Sequence, residues 1–294
     1  MKNLCLILAC LTISINYDSL SAQDPNNIYS FNIKKIGEQI EITRPTFLNS
    51  FNESAYNNQP YFKNEKSLYV TSQLKGKSQT DIYQLNLFSR TKAQITQTPE
   101  AEYSPQLRPG TVAFNCVRVE ADGKTQRLWQ FPTNQSNQGK PLFPDIKNVG
   151  YYHWLDSDQV ALFLVGEPHS LAIGDARDNS VQIITSNIGR GMASAPDGDL
   201  LFIQKLSEST WYLKKLNLKT GKSSIIVETL EGAEDFLLLD DTILMAQGAK
   251  LYSYPIVGGT GWSEVANLSS IGLSQITRLA YNGGRVLVLV DSKS

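Results

Sequence analysis

Short apolar runs recur along the whole chain and set the framework for its interpretation. Each run has three to six residues, is rich in Val, Ile, Leu and Phe, and is bounded by turn-forming residues. This pattern predicts strands that are buried on both faces. The intervals between successive runs are about 39 to 49 residues, which is the repeat length of propeller blades. The runs are Leu68–Val70, Val112–Phe114, Val160–Val165, Leu200–Ile203, Ile243–Ala246 and Val286–Val290.

Two further strands are predicted after the first five runs. A loop leads to a strand with alternating aromatic or apolar residues, such as Ile82–Leu85 or Leu128–Phe131, and a turn leads to another strand, as at Val181–Ile184 and Ser223–Val227. The turn at Lys219–Lys222 contains the glycine and polar residues that tight turns favour. No segment shows a helical period. The chain is therefore predicted to be all-β, with four strands in each repeated unit.

The two ends of the chain complement each other. The last unit has two predicted strands, Ile276–Ala280 and Val286–Val290, and then the sequence stops. Near the N-terminus, Ile28–Phe31 resembles a third strand and Gln39–Ile42 a fourth. Pairing of residues 28–42 with residues 276–290 would close the ring and remove its open edges. We therefore predict a six-bladed β-propeller with a composite last blade formed by N- and C-terminal strands.

The first 22 residues have the order of features that marks an export signal. Lys2 is followed by a mostly apolar run from Leu4 to Ile15 and then by small residues up to Ala22. We predict a signal peptide over residues 1–22, a propeller over residues 23–294, and a periplasmic or secreted product. An alternative is a lipoprotein signal with Cys10 as the lipidated residue, although the segment before Cys10 is short for that purpose.

Composition narrows the possible partners. The formal net charge is −1, and the charges are scattered, so no basic patch indicates nucleic acid or an anionic membrane surface. After the leader, no apolar stretch is long enough to span a membrane. Cys116 is the single cysteine beyond residue 22, so no internal disulfide can form and stability must come from packing. A closed ring needs no partner to complete its sheets, and we expect a monomer.

Residues 56–110 resemble one repeat of a known family. Gln59-Pro60-Tyr61-Phe62, Asp81-Ile82-Tyr83, Gln94-Ile95-Thr96 and Ser104-Pro105 are similar to the WD-like repeats of the TolB-like propellers, and Ser194–Gly198 is similar to their turn. The N-terminal α/β domain of TolB has no counterpart that we recognise in these residues. The resemblance implies a propeller that binds another component of the cell envelope through its faces or its axial channel.

Catalytic signatures are largely missing from the sequence. His153 and His169 stand apart from any carboxylate pattern of a zinc site, and the sequence contains neither a Gly-x-Ser-x-Gly elbow nor a phosphate-binding glycine loop. We predict no catalytic residue, no metal ligand and no cofactor. The candidate ligand-binding residues are those predicted near the mouth of the channel: Tyr56, Glu102, Tyr152, His153, Arg190, Glu234, Asp235 and Arg278.

Three functions follow as hypotheses. The first is a non-enzymatic module that binds a protein or peptide of the cell envelope. The second is a calcium-dependent hydrolase or lactonase with an axial metal site, for which Glu102, Glu234 and Asp235 would be the acidic ligands. The third is a detached propeller, similar to those that gate oligopeptidases, which would need a separate hydrolase as partner.

Overall fold

The computed structural model describes residues 24–134 and 138–292. Within them, six four-stranded antiparallel sheets form a six-bladed propeller, which confirms the predicted fold. The predicted signal peptide and the alternative lipidation site at Cys10 lie outside the described residues. Two short 3₁₀ turns, Ser50–Asn52 and Ser269–Ile271, are the helical elements of the described part. No helix in that part is long and apolar enough to cross a membrane.

Every blade has the same order of strands from the axis outward. Blade 1 contains strands three to six of the chain, blades 2 to 5 follow in sequence, and blade 6 consists of the last two strands followed by the first two. The first strand of each blade contacts the first strands of both neighbouring blades, so these six strands surround the axis. The strands are β1 (Asn26–Ile36), β2 (Gln39–Phe47), β3 (Asn57–Asn64), β4 (Ser67–Ser72), β5 (Asp81–Asn86), β6 (Lys92–Gln94), β7 (Ala101–Leu107), β8 (Ala113–Val119), β9 (Gln126–Pro132), β10 (Lys140–Leu142), β11 (Val149–Trp154), β12 (Gln159–Leu164), β13 (Ser170–Asp175), β14 (Ser180–Ser186), β15 (Ile188–Ser194), β16 (Leu200–Lys205), β17 (Trp211–Leu216), β18 (Ser223–Glu228), β19 (Phe236–Leu239), β20 (Thr242–Gln247), β21 (Lys250–Pro255), β22 (Ser263–Asn267), β23 (Ile276–Tyr281) and β24 (Val286–Ser292).

The hydrophobic core is divided among the interfaces between blades. The described residues form six buried apolar clusters, and each cluster joins one pair of neighbouring blades. Between blades 6 and 1, for example, Ile28 and Val290 pack against Val70 and Tyr83. Side chains of a second strand point alternately into the two flanking interfaces, and both are apolar. This arrangement explains why these strands are continuous apolar runs in the sequence.

The composite blade closes the ring as predicted. Strand β1 pairs antiparallel with β24 over seven residue pairs, from Asn26 opposite Ser292 to Asn32 opposite Val286. Strand β24 also pairs with β23, and β1 with β2, so the two ends of the chain share one sheet. Backbone hydrogen bonds and the apolar contacts of both adjacent interfaces therefore hold the ring closed.

A buried group of asparagines fixes the N-terminal strand next to blade 1. The Asn57 side chain is fully buried. Its amide nitrogen donates to the carbonyl oxygens of Asn26, Asn52 and Ala55 at 2.9–3.1 Å. Its oxygen accepts hydrogen bonds from Asn52 Nδ2 and Ser72 Oγ, both at 3.0 Å. One side chain thus joins β1, the segment that follows β2, and β4.

The substitution Asn57→Asp tests this contribution. A carboxylate cannot donate to the three carbonyl oxygens and would be buried without a cation, so we expect the free energy of unfolding to fall by about 3 kcal/mol or more. The matched control is Asn64→Asp at the exposed end of β3, where the change should stay within about 0.5 kcal/mol. Chemical denaturation measures both variants. Equal effects at the two positions would contradict the role assigned to Asn57.

Candidate binding cavity on the propeller axis

A large cavity lies on the axis of the ring. Its volume is about 930 Å³, and the first strands of all six blades contribute to its wall. It extends to the turns that follow the first strands, where Glu65, Pro109, Asp240 and Gly283 line it. The connections between blades lie at the opposite end of the first strands, and the candidate residues Tyr56, Glu234 and Asp235 belong to them. The cavity therefore opens on the face opposite those connections.

Most of the cavity wall is uncharged. Aromatic side chains such as Tyr61, Trp154 and Phe236 contribute to it together with backbone and small polar groups. The charged residues in the lining are confined to the two ends: Glu65 and Asp240 at the open end, and Arg190, Asp235 and Arg278 at the other. A wall of this kind can bury an apolar or aromatic ligand group and hold polar groups near its ends.

Irregular backbone in the first strands shapes the wall. The pairing of β3, β7, β11, β15 and β23 with their second strands is interrupted by register shifts. Gln59 and Ser104 occupy the left-handed region, with φ of 53° and 54°, and each precedes a proline. The side chain of Gln59 accepts a hydrogen bond from the backbone N–H of Ser104 at 2.8 Å, which ties blade 1 to blade 2. Such bulges redirect side chains away from the regular alternation of a strand.

A contact between blades 3 and 6 crosses the axis. Arg278 Nη2 donates to the hydroxyl of Tyr151 at 3.0 Å, and the guanidinium carbon lies 4.9 Å from the centre of the tyrosine ring. Arg278 Nη1 is 3.5 Å from Asp235 Oδ1, and Asp235 Oδ2 accepts the backbone N–H of Leu279 at 2.7 Å. Because blades 3 and 6 are opposite each other in the ring, this contact obstructs the axial passage.

A second arginine lies beside this contact. Arg190 Nη2 donates to the carbonyl oxygen of Thr277 at 3.1 Å, and its Nη1 is 3.5 Å from Glu234 Oε2. Glu234 also forms an ion pair with Lys205. Burial lowers the pKa of Arg190, and the positive charge of Arg278 lowers it further. Two partly buried guanidinium groups, with side chains 26% and 11% exposed, thus face the same end of the cavity.

Blades 1 and 2 each contribute a tyrosine at the same level. The rings of Tyr56 and Tyr103 are 6.5 Å apart in an edge-to-face arrangement. Burial raises the pKa of Tyr56, partly offset by the charges of Arg278 and Arg190. Every blade therefore supplies one side chain to what we call the axial layer, which consists of Tyr56, Tyr103, Tyr151, Arg190, Asp235 and Arg278.

His153 lies on the cavity wall, but its environment is not that of a catalytic base. Its Nε2 is 2.9 Å from Ser194 Oγ. Burial lowers the pKa of His153 to about 4, so the imidazole is uncharged at neutral pH. His153 forms no ion pair with a carboxylate of the residues that the structure describes. A weakly basic imidazole without a carboxylate to orient it is poorly suited to activate a serine.

The structure separates the predicted site residues into groups. Tyr152, His153, Arg190, Asp235 and Arg278 line the cavity. Tyr152 does so from within the apolar cluster between blades 2 and 3, where its side chain is 3% exposed. Tyr56 belongs to the axial layer, and Glu234 supports that layer through its ion pairs.

Sequence reasoning missed Tyr151, whose hydroxyl reaches Arg278. Alternation along β11 puts Tyr151 and Tyr152 on opposite faces of the strand. Only the register with β12 decides which of the two tyrosines reaches Arg278 and which packs between blades 2 and 3. The signal in the sequence was the Tyr-Tyr pair itself.

Glu102 lies in a buried ion pair between blades 1 and 2, away from the cavity lining. Its side chain is 0% exposed. Oε1 accepts hydrogen bonds from Arg118 Nε at 3.0 Å and from Thr98 Oγ1. Oε2 is buried without a hydrogen-bond partner among the residues that the structure describes. Burial raises the pKa of Glu102 to about 7, against the lowering effects of Thr98 and Arg118.

This raised pKa predicts a specific pH dependence. The stabilisation due to the protonated carboxyl is complete below the ordinary pKa of 4.5 and is lost as the pH rises through about 7. Glu102→Gln keeps an uncharged group with the same shape. The unfolding free energy of the wild type relative to this variant should therefore fall by up to about 3 kcal/mol between pH 4 and pH 8.

Urea denaturation at several pH values measures this difference. The exposed substitution Glu208→Gln is the control, and it should change the stability by no more than about 0.5 kcal/mol at any of them. If the unfolding free energy of the wild type relative to Glu102→Gln instead rose with pH, the raised pKa of Glu102 would be contradicted.

The acidic residues considered for an axial metal do not form a common site. Glu102 pairs with Arg118 in blade 2, whereas Glu234 and Asp235 pair with cations in the opposite half of the ring. In the portion of the chain described, no group of three or more His, Cys, Asp or Glu side chains is arranged to hold a metal ion. Cys116 is fully buried, and burial raises the pKa of its thiol.

Comparisons with known proteins support the fold at low sequence identity. No protein-family model matches the chain, and no curated protein matches it. TolB from Acinetobacter baumannii is 14% identical with a TM-score of 0.58, over 91% of this chain and 64% of that one. A putative TolB from Agrobacterium tumefaciens is 12% identical with a TM-score of 0.69, over 92% and 99%. An oligogalacturonate lyase in complex with manganese is 10% identical with a TM-score of 0.56, over 85% and 80%.

These likenesses place the chain in a structural class. It is a six-bladed propeller, and its fold is that of the TolB-like propellers. The chain spans 64% of the length of the Acinetobacter TolB. Because a lyase shares the same fold, the fold by itself does not separate a binding protein from an enzyme.

Proposed function

We propose that this chain is a non-enzymatic binding module that takes a segment of a protein or peptide into its axial cavity. The observation that carries the proposal is the cavity of about 930 Å³, open at one end and obstructed at the other by the axial layer. This volume is at the upper end of the roughly 300–1,000 Å³ of ordinary ligand sites. A blind cavity of this size suits the end or a short loop of a polypeptide better than a strand passing through.

The chemistry of the wall favours binding over catalysis. Aromatic side chains and backbone groups of the bulged strands offer apolar area and hydrogen-bond partners, which is what recognition of a polypeptide needs. His153 is a weak base next to Ser194, and the acidic residues near the axis are already paired with arginine or lysine. The calcium-dependent hydrolase hypothesis is less well supported because Glu102, Glu234 and Asp235 lack a shared position where an ion could sit.

The cell envelope is the proposed location of this activity. The leader-like residues 1–22 indicate export, and the fold is shared with proteins named TolB. A periplasmic or secreted monomer that binds an envelope protein or peptide agrees with both observations. Lipid anchoring through Cys10 would leave the same cavity available.

Blocking the cavity tests the proposal. The affinity-tagged chain is crosslinked in its native envelope and purified, and bound proteins are identified by mass spectrometry. Ala193 lines the cavity and also packs against the cluster between blades 4 and 5, so the Ala193→Trp variant must first show wild-type thermal unfolding. Its large ring then blocks the cavity, and we expect recovery of the dominant partner to fall at least tenfold. The matched control is Ala93→Trp on the exposed outer strand of blade 1, which should leave recovery unchanged.

Two results would contradict the proposal. Recovery that Ala193→Trp does not change, with normal thermal unfolding of the variant, would exclude the cavity as the binding site. Thermal stabilisation by added calcium, together with hydrolysis of a lactone substrate, would favour the enzyme hypothesis instead.

A further inference from the structure

The charges that line the cavity have opposite signs at its two ends. Glu65 and Asp240 lie at the open end, and both are exposed. Arg190 and Arg278 lie at the closed end, accompanied by Asp235. The lining between the two ends contains no charged residue. A ligand entering the cavity therefore meets negative charge first and a net positive charge at the end.

Arg190 retains hydrogen-bonding capacity at the closed end. A guanidinium group has five N–H donors. Arg190 uses Nη2 for the carbonyl oxygen of Thr277, while its Nη1 stays 3.5 Å from the Glu234 carboxylate. That separation is longer than the roughly 2.7–2.9 Å of a charge-assisted hydrogen bond. Its Nε is buried and has no hydrogen-bond partner among the described residues.

Arg278 is also incompletely neutralised. Its Nη1 is 3.5 Å from Asp235 Oδ1, and the other oxygen of Asp235 accepts the N–H of Leu279. Its Nη2 contacts the uncharged hydroxyl of Tyr151. With Glu234 and its second partner Lys205 included, three cations face two carboxylates at this end, which leaves a net positive charge. Because both guanidinium groups are largely removed from water, an anion that reaches them is attracted more strongly than at an exposed surface.

We propose that the closed end of the cavity is a carboxylate-binding subsite formed by Arg190 and Arg278. Its ligand is a peptide that enters with a carboxylate leading, either the C-terminal carboxylate or an acidic side chain. Planar guanidinium groups match a carboxylate in shape and can bind it through two parallel hydrogen bonds. Glu65 and Asp240 then favour a basic residue of the ligand at the opening. This inference rests on the proposed function and adds the chemical class and orientation of the ligand.

Three peptide pools test the subsite. All are random-sequence octapeptides that begin with a lysine. Its α-amino group is acetylated and its side chain carries an uncharged fluorophore. Binding to residues 23–294 is measured by fluorescence polarisation. Pool one has a free C-terminal carboxylate and no Asp or Glu. Pool two is amidated and contains Asp and Glu. Pool three is amidated and lacks both. We expect pool one or pool two to bind at least tenfold more tightly than pool three, and the stronger pool identifies the source of the carboxylate.

Substitutions assign the effect to the two arginines. Arg190→Gln should remove the preference over pool three, whereas the same change at the exposed Arg177 should preserve it. Asp235→Asn removes the competing carboxylate and keeps an acceptor for the Leu279 N–H, so it should strengthen binding of the preferred pool severalfold. This expected gain in affinity keeps the test decisive if a thermal melt shows that the Arg190→Gln variant is not folded.

The outcomes separate this inference from the proposed function. Equal binding of the three pools, unchanged by Arg190→Gln and Asp235→Asn, would overturn the carboxylate subsite and leave peptide binding in place. No binding of any pool, combined with no partner in the envelope purification, would overturn both.

Discussion

The antiparallel pairing of β1 with β24 is the interaction on which the rest of this molecule depends. It joins residues separated by almost the whole chain and turns an open row of blades into a ring. Without it, blades 1 and 5 would each expose an apolar face, since each interface cluster needs a partner blade. The buried Asn57 group adds polar contacts at the same junction, where β1 meets blade 1.

Closure also explains why the molecule has a cavity on its axis. The apolar side chains are used in six interfaces between blades, and none of these clusters fills the centre of the ring. The six first strands therefore enclose a space that side chains fill only at one level. There, the Arg278–Tyr151 contact connects opposite blades, and Arg190 contacts the backbone of blade 6.

Burying several charges near the axis has an energetic cost that the structure only partly offsets. Arg190 and Arg278 have carboxylates at 3.5 Å, while one oxygen of Glu102 has no hydrogen-bond partner within residues 24–134 and 138–292. Removing a charge from water is unfavourable unless partners are well placed. The Nε of Arg190 has no hydrogen-bond partner among the described residues. A bound ligand could accept a hydrogen bond from this arginine, as the proposed subsite requires. The Glu102–Arg118 ion pair lies between two blades instead, so it affects the stability of the fold rather than the cavity.

The sequence by itself determined the blade number, the second strands and the composite closure, because these depend on where apolar residues recur. A strand covered on both faces must be apolar throughout, and a period of about 45 residues survives even where individual repeats have diverged. Only the tertiary structure decided that the cavity opens away from the connections between blades, that Tyr151 rather than Tyr152 meets Arg278, and that Glu102 is buried against Arg118. Those features depend on strand register, on bulges in the first strands and on contacts between residues far apart in the chain, and such relations leave no periodic signal in a single sequence.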